Sequence, residues 1–458
     1  MKKTIFITVF SCLFLFSFFI SHSVTVAQGN DVSITIYQNN LGLVHDVREM
    51  DLKAGSQEIR FTDVASLIDP TSVHFKSLTA PDQVTILEQN YEYDLVSAEK
   101  ILQKYIDQAV QLFTKEGKIF DGKLLSAGGN VILEKKEGGI QSIAVANIQN
   151  MDFPKLPAGL ITRPTLVWYL SSEKAGKHNM ETSYLTDGIG WHAEYVALVN
   201  KDEVALDLSA WVSVHNQSGT DYENAKLKLV AGDVHRITPP PPRYIGYEER
   251  VMAKVAPAPQ FEEKAFFEYH LYTLQRAATI KNNQIKQLSL FPTATTPVKK
   301  IYEYDGSKRE KKINVKLEFI NAEKNGLGLP IPAGKVRVYK SDEDQSQIFL
   351  GEDQVDHTPK DEKIRLYVGD AFDVVGERKQ MSYKQLSDRA REEIWQIKLR
   401  NHKKEDIEVL VTEHLWGDWE IRESSHTYNK KDANTIEFII PVKKDAETIV
   451  KYTVLYRW

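Results

Sequence analysis

Cysteine is almost absent from this chain of 458 residues: there is one, Cys12, close to the amino terminus. A lone cysteine closes no internal disulfide, supplies no CxxC pair and builds no thiolate zinc site. A basic excess is missing too. Lys and Arg number 58 against 63 Asp and Glu, a formal net charge of −5, so nothing favours nucleic acid. Beyond the amino-terminal segment no apolar run reaches the length of about eighteen residues that marks a membrane helix. The sequence has no GxxxxGK[ST] phosphate cradle, no HExxH, no GxSxG elbow and no strand-following GxGxxG. Asn325-Gly326-Leu327-Gly328 lacks the third glycine and the helix, and reads as a turn. What is present is 42% hydrophobic and 26% charged, enough apolar material for several cores. The length implies two to four domains.

The amino terminus reads as an address. Lys2 and Lys3 precede an apolar run over 5–20, followed by polar Ser21, His22 and Ser23, the order of a secretory signal peptide. A cut after Ala27 removes both lysines and Cys12, taking the charge from −5 to −7 and leaving no thiol. The run is short against the ~20 residues of a bilayer span, so an uncleaved amino-terminal anchor is the alternative. The expectation is an exported bacterial protein, in the periplasm, at the cell surface or secreted, with no membrane span in the mature chain.

The body alternates with period two. Val204, Leu206, Leu208, Ala210, Val212 and Val214 form one such run, and Ile313, Val315, Leu317 and Phe319 another. Ile364, Leu366 and Val368 repeat it, as do Val450, Tyr452, Val454 and Tyr456. Such runs bury one face of a strand and wet the other, as antiparallel sheets require. One helix is expected after Asp94, with Ser97 as its N-cap and Ile101, Leu102 and Tyr105 on one stripe. It gives way to a strand at Ala109 and four further short strands over 118–153. A helix followed by five short strands resembles a small SH3-like or Sm-like barrel. Barrels of the Sm kind often bind RNA, but export and net acidity argue against that here.

The expected fold class is mainly β: antiparallel β-sandwich domains with a short helix and a small SH3/Sm-like barrel inserted near 97–153. The domains follow as a signal peptide 1–27, an amino-terminal β domain 28–96 and a helix plus small barrel 97–155. A β-sandwich 156–320 carries a proline-rich loop at 236–260, where six of the 17 prolines lie. A carboxy-terminal β-sandwich, 321–458, completes the chain.

Candidate chemistry is sparse. His192, with Glu194 two residues on, fits a base or a ligand, but such a histidine is more often a half-buried strand residue, and the third partner catalysis needs is missing. The strongest constellation is Glu413-His414-Leu415-Trp416-Gly417-Asp418-Trp419-Glu420. Trp416, Asp418 and Trp419 form a candidate ligand surface, since aromatic faces and carboxylates suit sugar CH groups and hydroxyls. Asp418 and Glu420 could instead be paired acids of a glycan hydrolase. The competing explanation is a hairpin tip where tryptophans cap a core. Asp342-Glu343-Asp344 with Glu352-Asp353 lacks the spacing and glycine of an EF-hand and reads as a solvated acidic turn.

Several stretches resemble one family. Thr186-Asp187-Gly188-Ile189-Gly190-Trp191-His192-Ala193-Glu194-Tyr195 and the strand ending Val214-His215-Asn216-Gln217-Ser218-Gly219 are similar to the carboxy-terminal domain of mucoidy inhibitor A-like bacterial proteins. Pro332-Ala333-Gly334-Lys335, Leu366-Tyr367-Val368-Gly369-Asp370 and the 413–419 stretch extend the match. Residues 34–78 resemble the companion amino-terminal domain. The relatives' long coiled coil between the two halves is replaced here by the short helix and barrel pattern, which removes any role that depends on the coil. The resemblance implies a compartment and an architecture, but no reaction, the domain being one of unknown function. Trp191 and Tyr195 carry over as motif residues with a structural role.

The functional expectation is an exported envelope protein, non-enzymatic, with a structural or protein-interaction role. The first alternative is a surface-polysaccharide or peptidoglycan-binding module using Trp416 and Trp419, and the second a glycan hydrolase. The expected partners are envelope proteins or surface glycan, with no cofactor, no metal and no nucleic acid.

Overall fold

The structure, a computed structural model, describes residues 31–232, 234–235, 261–344 and 346–458. The expected signal peptide with Cys12 and the proline-rich loop 236–260 lie outside the described residues. The chain is mainly β, 66% strand and 5% helix, with several antiparallel sheets. Among the described residues no helix is long and apolar enough to cross a membrane.

Alternation sets the first core. Ile189–Val199 buries Ile189, Trp191, Ala193, Tyr195, Ala197 and Val199 and turns the residues between them outward. It lies in a five-stranded sheet with Ala205–Asn216, Gln284–Pro297, Gly334–Ser341 and Gln347–Val355. An eight-stranded sheet contributes to the same core through Asp31–Tyr37, Leu41–Leu52, Gly176–Asp187 and Tyr222–Ala231. A three-stranded sheet adds Phe61 and Trp168, the latter stacked on Phe75 with centroids 3.7 Å apart.

These pairings depart from the expected domain boundaries at two places. The amino-terminal strands Asp31–Tyr37 and Leu41–Leu52 are hydrogen-bonded into one sheet with strands from 176–231, and the core residues described there, Ile34 to Phe75, belong to a core shared with those strands. Around 320 the strands exchange sheets. Lys299–Tyr304 and Lys312–Ile320 join the carboxy-terminal sheet, while Gly334–Ser341 returns to pair in parallel with Ile189–Val199. The physical reason is that a strand with one apolar face joins whichever sheet buries that face, wherever it lies in the chain.

The carboxy-terminal nine-stranded sheet folds over its own core. Phe438 of Thr435–Val442 lies 5.9 Å from Tyr452 of Ala446–Arg457, with Ile397, Leu399, Val409, Val411 and Val450 buried around them. In the chain between Val84–Glu92 and Thr165–Ser172, which pair with each other beside the first core, Ser97 caps the helix Ala98–Lys104 by accepting the Lys100 N–H over 3.3 Å. Five strands follow in the order Ile148–Asp152, Ala109–Thr114, Ile119–Ala127, Asn130–Lys135, Ile140–Ala144, around Leu112, Leu124 and Val131. The two outer strands of that order are not paired with each other.

Candidate functional site

The carboxy-terminal sheet carries its core out to the surface at one end. Lys363–Ser387 and Ala390–Asn401 form a hairpin, and Ala446–Arg457 and Asp418–Ser424 pair alongside it. Directly opposed residues share a face, and Tyr456 stands opposite both Arg391 and Trp419. Trp416 stacks on Tyr456, centroids 4.4 Å and planes 15° apart, with Trp458 at 5.9 Å. The Arg391 guanidinium carbon lies 4.4 Å from the Trp416 ring centre, 5.4 Å from those of Tyr383 and Tyr456, and 5.8 Å from that of Trp458. Four rings therefore frame one cation.

That frame is open to solvent. Trp416 is 41% exposed, Trp458 53% and Tyr383 54%. Tyr456 and Arg391 each lie 4.4 Å from the Trp416 centre but only 5.4 Å from one another. Tyr456 and Arg391 therefore do not stand directly opposite one another across the indole.

Behind the frame, charges and rings alternate into the core. Arg391 Nε pairs with Glu393 Oε1 at 2.8 Å, and the buried Glu393 accepts the Trp395 indole N–H over 3.0 Å. The Arg378 guanidinium lies 3.4 Å from the Trp395 ring centre and donates through Nε to Glu413 Oε1 at 3.0 Å and Oε2 at 2.9 Å. Tyr452 donates its hydroxyl to the same carboxylate. Burial raises the Glu413 carboxyl above its ordinary range, with Arg378 and Tyr452 opposing it only in part. Burial also raises the Tyr452 phenol. Next along the chain, His414 Nε2 lies 2.8 Å from Asp305 Oδ2. Burial works against ionisation of Asp305, but hydrogen bonds from Ser307, His414 and Lys308 hold it down at about 2.

The sequence candidates are treated unequally. Trp416 enters the frame. Trp419 is half-buried against the core, its indole N–H donating to the Ala433 carbonyl over 2.7 Å and Lys430 Nζ lying 4.6 Å from its ring centre. Asp418 is exposed, opposite Arg457. Arg391, Tyr383, Tyr456 and Trp458 were not singled out in the sequence, because nothing local marks them as neighbours.

Trp191 and Tyr195 lie in the first core. Trp191 donates to the Val230 carbonyl at 3.2 Å and Tyr195 to that of Pro332 at 2.7 Å. His192 Nε2 stands 3.7 Å from Glu194 Oε1, while Ser213 donates its hydroxyl to Glu194 Oε2 at 2.9 Å. The serine proton is thus committed to the carboxylate, not the imidazole, and no nucleophile–base pair is formed. The nearby His192 ring holds Glu194 down at about 2, burial opposing and Ser213 assisting. In the acidic turn, Asp342 accepts the Glu343 N–H at 2.7 Å and Asp344 the Ser346 N–H at 2.9 Å, so these carboxylates brace the turn. Among the described residues no group of three or more His, Cys, Asp or Glu side chains is placed to hold a metal ion. A cleft beside Glu203, Lys300, Glu318 and Arg365 has these charges paired, Glu203 with Lys300 and with Lys340 outside the lining, and Arg365 with Glu318 at 2.5 Å.

No curated protein matches this chain. A family model described as a domain of unknown function, DUF4139, matches residues 180–451, more than half of the chain. The match takes in Trp191, Tyr195, Arg378, Arg391, Glu413 and Trp416. The chain belongs to the DUF4139 family, a family of unknown function.

Proposed function

We propose that this is an exported, non-enzymatic protein of the bacterial cell envelope that works by binding other envelope proteins. The amino-terminal Lys2-Lys3 and apolar pattern supports export, and the likeness to mucoidy inhibitor A-like proteins supports the envelope. The observation that carries the binding reading is the frame of Trp416, Trp458 and Tyr383 around Arg391. Arg, Trp and Tyr are the residues that dominate protein–protein hot spots. Arg391 is already held by Glu393 and the rings, so little side-chain freedom is lost when a partner docks. Affinity purification from native envelopes should recover a defined partner with the wild-type protein and lose it with Trp416→Ala/Trp458→Ala. An unchanged set of partners, or turnover of an envelope substrate by the purified protein, would overturn the proposal. Amino-terminal sequencing of the exported protein tests the address, a start after Ala27 being expected.

The 41% exposure of Trp416 favours one second reading, a surface-glycan platform. On a glycan array, binding that falls with Trp416→Ala but not with Trp419→Ala supports it. Binding that is absent, or unaffected by Trp416→Ala, ends it.

A further inference from the structure

We infer that the strand Gln347–Val355 is a docking edge for an extended, basic-flanked segment of another protein. Among the described residues the strand ends the five-stranded sheet and pairs on one side only, with Gly334–Ser341. Its other side presents main-chain N–H and C=O groups, the template on which a further strand adds. Ile348, Phe349 and Leu350 are 49%, 53% and 39% exposed. Ile348 and Phe349 point to opposite faces, so this edge is apolar above and below, and Leu350 is the extra residue of a bulge opposite Val338 and Tyr339. Phe349 is itself placed, its ring edge-on to Tyr339 at 5.5 Å. The second half of the strand is closed on its inner face, where Asp353 Oδ2 accepts the Tyr367 N–H at 2.6 Å and the Val368 carbonyl sits where a side chain at Gly351 would point. The open stretch is therefore 347–350.

Charge selects the occupant. Asp342, Glu343 and Asp344 precede the apolar triplet, and Glu352 and Asp353 follow it. The ion pairs that meet them are long and solvent-exposed: Lys201 to Glu343 at 3.4 Å, Lys335 to Glu352 at 3.5 Å and Arg337 to Glu352 at 3.7 Å. Such pairs neutralise little. A second copy of this chain is a poor occupant. Antiparallel self-pairing through Ile348–Leu350 would bring the 342–344 end of each copy towards residues 352–353 of the other, acid towards acid. A strand with an apolar centre and lysine or arginine at both ends meets both features. Main-chain bonds would supply affinity, and the alternating apolar residues and the flanking charges specificity. This edge belongs to a different sheet and core from the aromatic frame, so the two surfaces stand or fall separately.

The test uses the full chain and a fluorescein-labelled short peptide of alternating valine and threonine with a lysine pair at each end, followed by fluorescence anisotropy. Saturable binding is expected, weakened about tenfold or more by Phe349→Lys and by a central proline in the peptide, which removes a ladder donor. Glu343→Lys/Glu352→Lys should transfer the preference to the same peptide with glutamate pairs, while circular dichroism shows the fold intact. Absence of saturable binding by wild-type protein, or binding indifferent to Phe349→Lys and to the proline, overturns the inference. A wild-type dimer in sedimentation that Phe349→Lys dissolves overturns it as well, assigning the edge to a second copy.

Discussion

Tyr195 donates its hydroxyl hydrogen to the carbonyl oxygen of Pro332 over 2.7 Å, joining two motif segments 137 residues apart in the chain. Two residues on from that carbonyl, Gly334 pairs in parallel with Ala193, and a side chain there would meet the Ala193 carbonyl. The Trp–Tyr and Pro-Ala-Gly motifs are thus two sides of one contact inside the first core. Tyr195→Phe leaves the Pro332 carbonyl buried without that donor and is expected to cost about 1–3 kcal/mol. Gly334→Ala should cost at least as much, by forcing the two strands apart. Urea denaturation checks both, and a midpoint unchanged in Tyr195→Phe would show that the bond contributes nothing.

How much of this was legible in the sequence depends on range. The strands over 205–216 and 446–457 could be read because alternation is local, and the helix start because Ser97 caps a group three residues away. Sheet membership could not. Nothing in residues 31–37 announces a parallel partner at 222–231, or in 334–341 a return to the first sheet. The site was half legible for the same reason. Trp416 stands out in a tryptophan-rich octapeptide, whereas Arg391 sits in an ordinary charged hairpin and acquires meaning only when Trp416, Tyr456 and Trp458 close around it. Asp418 and Trp419 were selected by adjacency, and a strand turns adjacent residues to opposite faces.

The buried pair Arg378–Glu413 should behave asymmetrically. Glu413 is 1% exposed and takes hydrogen bonds from both Arg378 and Tyr452. Arg378→Met leaves a buried carboxylate without its counter-charge and is expected to cost about 3–5 kcal/mol. The double variant Arg378→Met/Glu413→Leu should cost clearly less than the sum of the single changes, because neither charge is then stranded. A double-mutant cycle by guanidinium denaturation measures the coupling, and strict additivity would remove the pair from the account of this core.

Acid should destabilise the fold through Asp305 and Glu194, both held at about 2 in the folded chain. Unfolded Asp and Glu titrate near about 4, so each contributes stability that is full above that pH and is lost as pH falls towards about 2. Glu413 has the opposite sign. Its folded carboxyl is raised by burial, so it takes up a proton before the unfolded chain does and offsets part of the loss. Asp305→Asn should flatten the fall in stability between about pH 5 and pH 2, and Glu413→Gln should steepen it. Thermal melts across that range decide the matter, and parallel curves for all three proteins would contradict the assignment.

Arg391 fixes the aromatic frame by holding rings from separate strands, so its removal should be felt at the tryptophans before it is felt in the fold. Glu393 is 5% exposed and faces Arg391 Nε at 2.8 Å, with its other oxygen on Trp395. Arg391→Ala removes the cation–π contacts, about 0.5–2 kcal/mol at a site of this exposure, and leaves Glu393 short of its counter-charge. Arg391→Lys keeps the charge but not the flat guanidinium that lies against the rings, so it should recover only part of the loss. Trp416 and Trp458 are already half exposed and become freer in either variant. The expected readout is a red-shifted, more readily acrylamide-quenched tryptophan emission, with far-ultraviolet circular dichroism unchanged. An emission spectrum identical to wild type in Arg391→Ala would mean that the rings hold one another without the cation, and that the frame owes its geometry to the Trp416–Tyr456 stack alone.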